Sequence, residues 1–104
     1  MPPRFSEEYM RDKFRHAVDG MASSAADLRS RLMDAFGAVL FEADDFHDGD
    51  LGARYQELRK RLSSAPDPGG HDGTLTATIR GMSDQDVREA AQELVEITSA
   101  LNRR

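Results

Sequence analysis

Five carboxylates fall within nine residues, at Glu42, Asp44, Asp45, Asp48 and Asp50, with His47 among them and no lysine or arginine between. Oxygen donors at this density suit a hard cation if the chain curls so that several converge. A calcium-binding loop begun at Asp44 would find Asp48 and Gly49 in register. Phe46 stands at an acidic position, however, and Tyr55 where a bidentate glutamate must close the site. The motif fails, and the acids read as caps and solubilising groups of a polar turn between helices. No metal or cofactor is expected from them.

Other chemistry is as thinly supplied. There is no cysteine, which removes disulfides, thiolate ligands and thiol nucleophiles together and fits a reducing compartment. His16, His47 and His71 are far apart, and none shows the i,i+4 spacing of a helical metal site. The serines lack a nucleophile elbow, and Ser23 and Ser24 lie where capping explains them. Asp72-Gly73-Thr74-Leu75 resembles half of the haloacid-dehalogenase signature, but its nucleophilic aspartate would stand at Gly70, and no strand precedes it. An enzyme is not expected.

Basic groups gather at Arg4, Arg11, Lys13 and Arg15 and again at Arg59 to Arg61. A net charge of −5 opposes phosphate, and neither group interleaves the aromatics that stack bases. The final helix would bring Asp84, Asp86, Glu89, Glu93 and Glu96 to a groove, the wrong sign for a recognition helix.

What must position these side chains is a set of amphipathic helices. The central one is expected over 24–45: apolar residues at Ala25, Leu28, Leu32, Ala35, Val39 and Ala43 step by 3 and 4, and Met33, Phe36 and Leu40 line a second face. From Phe36 to Phe41 only Gly37 lacks an apolar side chain, so this turn is apolar all round and needs neighbours on every side. Gly37 is expected to admit a close backbone, and Asp27 to pair with Arg31. A first helix over 6–20 is marked by Ser6 as N-cap, by Glu7 and Glu8 in its first turn, and by Phe5 stapling onto Met10. Gly20, Ser23 and Ser24 place a break before the second helix. A continuous helix from Glu7 to Asp45 would run about 58 Å, too long for so small a core.

Asp48 or Asp50 caps a third helix over 50–63, with Leu51, Tyr55, Leu58 and Leu62 as its stripe. An exposed Pro/Gly loop is expected over 63–73. Thr74 to Arg80 alternates like a strand, but the chain holds no second strand to pair with it, so a short helix over 74–80 is the reading adopted. Ser83 caps the last helix, over 83–102.

The chain of 104 residues has room for one domain, here an all-α bundle of four main helices plus one short one. Thirteen of its 40 apolar residues are alanine, so the core is thin and association would strengthen it. No run is apolar enough for a membrane span or a leader, and with no cysteine the cytoplasm is the expected location.

The stretches Leu28-Arg29-Ser30-Arg31-Leu32-Met33-Asp34-Ala35-Phe36 and Thr74-Leu75-Thr76-Ala77-Thr78-Ile79-Arg80-Gly81-Met82-Ser83-Asp84 resemble short uncharacterised bacterial all-helical proteins. That resemblance implies a helical fold and no activity. Every motif being structural, the expected function is a non-catalytic protein–protein interaction subunit, a homodimer or an accessory partner of a larger protein. Phe36, Leu40 and Phe41 are the candidate contact residues. The alternative is a nucleic-acid-associated regulator or acidic modulator, antitoxin-like or phage- or defence-related.

Overall fold

Ser6 starts the first helix as its position suggests: its Oγ accepts the Tyr9 N–H at 3.1 Å, and Glu7 and Glu8 face the positive end of the helix. The computed structural model describes residues 4–23, 25–64 and 73–103. All regular structure among them is helical: α1 (Glu7–Ser23), α2 (Leu28–Gly37), a 3₁₀ turn (Ala43–Asp45), α3 (Gly49–Arg61), α4 (Gly73–Gly81) and α5 (Asp84–Asn102). The all-α bundle is therefore the fold, and Thr74 to Arg80 is helix. Of the loop expected over 63–73, residues 65–72 lie outside the described residues, and so does Ser24.

The break between the first two helices is real but sits later than the sequence suggested. α1 continues through Gly20 to Ser23, and α2 is opened by Asp27, whose Oδ1 accepts the Ser30 N–H at 2.8 Å. That bond occupies Asp27 as a cap and lowers its pKa, and Arg31 turns away to donate to the Met21 carbonyl at 3.0 Å, closing the end of α1. The expected Asp27–Arg31 pair is thus replaced by two caps.

α1 packs on α2 and α5, α3 on α5 and the 3₁₀ turn, and α4 on α2. Met10, Phe14, Ala17 and Met21 of α1 meet Leu32, Ala35 and Phe36 of α2 and Val87, Leu94, Ile97 and Leu101 of α5 in one core. Arg29 of α2 clamps the corner between α4 and α5. Its guanidinium donates to the carbonyls of Ile79 and of Met82 (2.8 Å) and to Asp84 (2.8 Å), so one side chain holds the end of α4 and the start of α5. Arg54 of α3 bridges to Glu93 of α5 at 2.8 Å.

The largest departure from the sequence reading is the second half of the expected central helix. α2 stops at Gly37, ten residues long, and the chain reaches the 3₁₀ turn as irregular backbone. The crowded glycine is not Gly37, around which a Cβ would meet nothing within 4 Å, but Gly52 of α3. A Cβ there would lie 2.6 Å from the Ala43 carbonyl oxygen. Only glycine lets α3 lie against the 3₁₀ turn. Gly52→Ala is therefore expected to cost about 1–3 kcal/mol by overpacking, although alanine is the better helix former. Gly20→Ala, in open space within α1, is expected to stabilise by about 0.5–1 kcal/mol. Urea unfolding of the two variants checks the pair, and a shift of the same sign in both would disprove the crowding at Gly52.

Candidate interaction surface

After Gly37 the backbone alternates: Val39 and Phe41 point into the core and Leu40 points out. The apolar turn expected on a helix is thus a zigzag that separates the three candidate contact residues. Phe36 is fully buried, Phe41 nearly so, and Leu40 is 53% exposed. Phe36 and Phe41 are core residues of this chain, and only Leu40 offers surface. The neighbours that cover them are aromatic. Phe41 packs against Phe5 (5.4 Å between centroids), Phe14 (5.8 Å) and Tyr9 (6.4 Å), while Phe36 stacks on Tyr55 at 5.6 Å.

Tyr55 of α3 holds this segment in place. Its hydroxyl donates to the Val39 carbonyl and accepts the Phe41 N–H at 2.8 Å, satisfying two backbone groups that leave helical bonding at the end of α2. Burial pushes its phenol pKa up. Arg59, one turn on, donates to the Phe41 carbonyl.

The acid-rich segment resolves into separate structural duties. Asp48 caps α3 by accepting the Asp50 N–H at 2.8 Å and the Leu51 N–H at 3.3 Å. Asp45 is buried and receives Arg4 in a fork, Nε to Oδ1 at 2.8 Å and Nη2 to Oδ2 at 2.7 Å, with the Glu42 N–H also donating to Oδ2 at 2.8 Å. Arg4 holds the Asp45 carboxyl below the usual carboxylate range against the opposing effect of burial, and Asp45 in turn raises Arg4. The His47 Nε2–H donates to the Phe5 carbonyl at 2.9 Å. No three His, Asp or Glu side chains converge on a metal position among the described residues. Three carboxylates of the cluster, Glu42, Asp45 and Asp48, are engaged with protein donors.

His16 lines a shallow groove of about 360 Å³ between α1 and α2, with Lys13, Arg31 and Asp34 around a floor that includes Ala17, Ala35 and Ala38. Arg31 Nε is buried there without a hydrogen-bond partner among the described residues. Ser23 donates to the Asp19 carbonyl one turn back in its own helix, and Gly73-Thr74-Leu75 of the partial dehalogenase signature opens α4, with Asp72 outside the described residues.

Among the described residues the exposed large apolar side chains are Leu40, Tyr9 (41% exposed) and Val95. Tyr9 stacks on Phe5 at 5.0 Å and meets Phe41 edge-on, so Tyr9 and Leu40 both adjoin the Phe41 backbone or ring from the outside. Arg4, Phe5 and His47 lie on the Tyr9 side, joined through the Arg4–Asp45 fork, the His47–Phe5 hydrogen bond and the Phe5–Tyr9 stack. The chain matches no family model, no curated protein and no solved structure. No helix of the described residues is long and apolar enough to cross a membrane.

Sequence reasoning missed Tyr55 as a backbone clamp and Asp45 as the partner of Arg4. The signals available were a tyrosine with a hydroxyl to satisfy on an otherwise apolar stripe, and a lone arginine ahead of α1 facing a run of uncompensated acids.

Proposed function

We propose that this chain is a non-catalytic helical interaction subunit of the cytoplasm that pairs with itself or with a larger protein through the surface around Leu40 and Tyr9. The observation that carries the reading is Leu40, a leucine held out of the core by the alternating backbone at 39–41 while both its neighbours are buried. Tyr9, also exposed and in edge contact with the ring of Phe41, the residue after Leu40, adds a rigid aromatic of the kind enriched at binding hot spots. Burying one such leucine is worth about 1.5–3 kcal/mol, a useful gain for a small domain.

The nucleic-acid reading draws less support. Arg4 is committed to Asp45, Arg15 to Asp12, Arg59 to the Phe41 carbonyl and to Glu42, and Lys60 approaches Glu57. Basic side chains paired with carboxylates of the same chain present less net positive charge to phosphate.

Light scattering coupled to gel filtration tests self-association. A dimer mass at micromolar concentration, reduced to a monomer by Leu40→Asp, is the expected result. If the wild type is a monomer, affinity capture from the native host is expected to lose its bound protein on the same substitution. Identical capture by both would discard this surface.

A further inference from the structure

Arg4 and Phe5 form a short strap that crosses from the start of α1 to the 3₁₀ turn, and the cradle receiving it has the build of a recognition site. We propose that Asp45, His47, Phe41 and Tyr9 form a docking site for an arginine–aromatic dipeptide of a partner protein, filled in the free chain by Arg4 and Phe5. The proposal rests on the interaction-subunit reading and names the partner's chemistry.

Three separate features of the dipeptide are met. Its guanidinium is held by both oxygens of Asp45, at 2.8 and 2.7 Å, a fork that the single ammonium of lysine does not reproduce. Its backbone carbonyl accepts from His47 Nε2 at 2.9 Å. Its aromatic ring stacks on Tyr9 at 5.0 Å and meets Phe41 edge-on at 5.4 Å, with the guanidinium carbon 5.2 Å from that same ring.

The two sides of the contact are built unequally. The Asp45 side chain is 2% exposed and the Arg4 side chain 62%. Asp45 is also preset by its own turn: Glu42 N–H donates to it at 2.8 Å, within a reciprocal capping box that does not involve Arg4. The carboxylate therefore stays in place whichever guanidinium arrives, and leaving it buried without one is costly. The strap, by contrast, is tied to the rest of the fold through the cradle and the Ser6 cap.

A tethered occupant competes at high effective concentration, so a displacing chain needs further contacts. The exposed part of Tyr9 within the cradle, and Leu40, exposed next to Phe41 in the chain, are the apolar side chains open to them. A second copy is not the occupant argued for. Exchanging identical straps between copies forms the contacts each copy already has, whereas a chain without a cradle of its own gives up nothing comparable.

The test is a titration of the full chain carrying Arg4→Ser and Phe5→Ser, which empties the cradle and keeps the Ser6 cap. The probe is the peptide acetyl-Arg-Phe-Ser-Glu-amide, followed by amide NMR. Saturable shifts confined to the Phe41–His47 segment and the start of α1 are expected, with binding at least about tenfold tighter than to the wild type, whose cradle is filled. The same peptide with lysine for arginine is expected to bind about tenfold more weakly. Absent or scattered shifts, or equal binding to wild type, overturn the proposal. Should the double variant not fold, Arg4→Gln alone opens the Asp45 half of the cradle while Phe5 keeps the aromatic half, and acetyl-arginine amide must then shift the Glu42 and Asp45 amides or the proposal fails. A wild-type dimer that dissociates on loss of the strap would assign the occupant to a second copy and overturn the partner assignment. Loss of association with Leu40→Asp bears only on the interaction-subunit reading and leaves the peptide titration standing.

Discussion

Phe41→Asp is expected to unfold the chain, and Leu40→Asp to leave it folded. Adjacent residues of similar hydrophobicity thus give opposite outcomes, because the backbone after Gly37 alternates its side chains between core and solvent. Removing a buried phenylalanine costs about 3–5 kcal/mol before any charge is considered. The carboxylate that replaces it sits among Phe5, Phe14 and Tyr9, and Arg59, which reaches this residue, is already bound to the Phe41 backbone carbonyl. An unpaired charge in such a place is either desolvated or protonated, and both are unfavourable. The total reaches much of the roughly 5–15 kcal/mol available to a small domain. At Leu40 the same substitution places a charge in water and is expected to move stability within about 0.5 kcal/mol. Far-UV circular dichroism with chemical denaturation separates the two. A cooperative transition retained by Phe41→Asp would mean that Phe41 is not core.

The elements legible in the sequence were those whose signals are local. Ser6, Asp48 and Ser83 each cap the helix they precede, and the stripes Met10-Phe14-Ala17-Met21 and Val87-Ala91-Leu94-Leu101 are buried as their spacing implies. Residues 38–45 depart from the expected helix because a helical period and an alternating one both place Phe36, Val39 and Phe41 among apolar neighbours. What separates them is where the backbone hydrogen bonds go. Those are answered by Tyr55 and Arg59, fourteen to eighteen residues away, and no window of sequence contains both ends. Gly37 drew attention for standing in an apolar run, but it ends a helix in open space. Gly52 lies inside α3 between Leu51 and Ala53, and its need for close approach comes from the Ala43 carbonyl of another segment. The candidate surface followed the same division. Of the three candidate contact residues only Leu40 is exposed, Phe36 and Phe41 being core, and the Arg4–Asp45 pairing, 41 residues apart, is outside local reach.

Tyr55→Phe isolates that long-range hydrogen bonding, because it deletes one oxygen and leaves the ring packing with Phe14, Phe36 and Phe46 intact. The loss strands two buried backbone groups, the Phe41 N–H and the Val39 carbonyl, on a segment with no helical bonds to fall back on. A buried group left unsatisfied costs about 1–3 kcal/mol. With water able to reach part of the loop after it relaxes, a net loss of about 2–3 kcal/mol is expected, roughly 10 °C or more in Tm for a domain of this size. The denaturant slope should not change, since the surface exposed on unfolding is the same. Amide exchange gives the sharper measurement. Protection at Phe41 should collapse while that of Leu94 and Ile97, in the middle of α5, falls only as far as global stability does. Equal losses at all three sites, or none at Phe41, would show that the Tyr55 hydroxyl does not hold this segment, and that the inward turn of Val39 and Phe41 is set by ring packing alone.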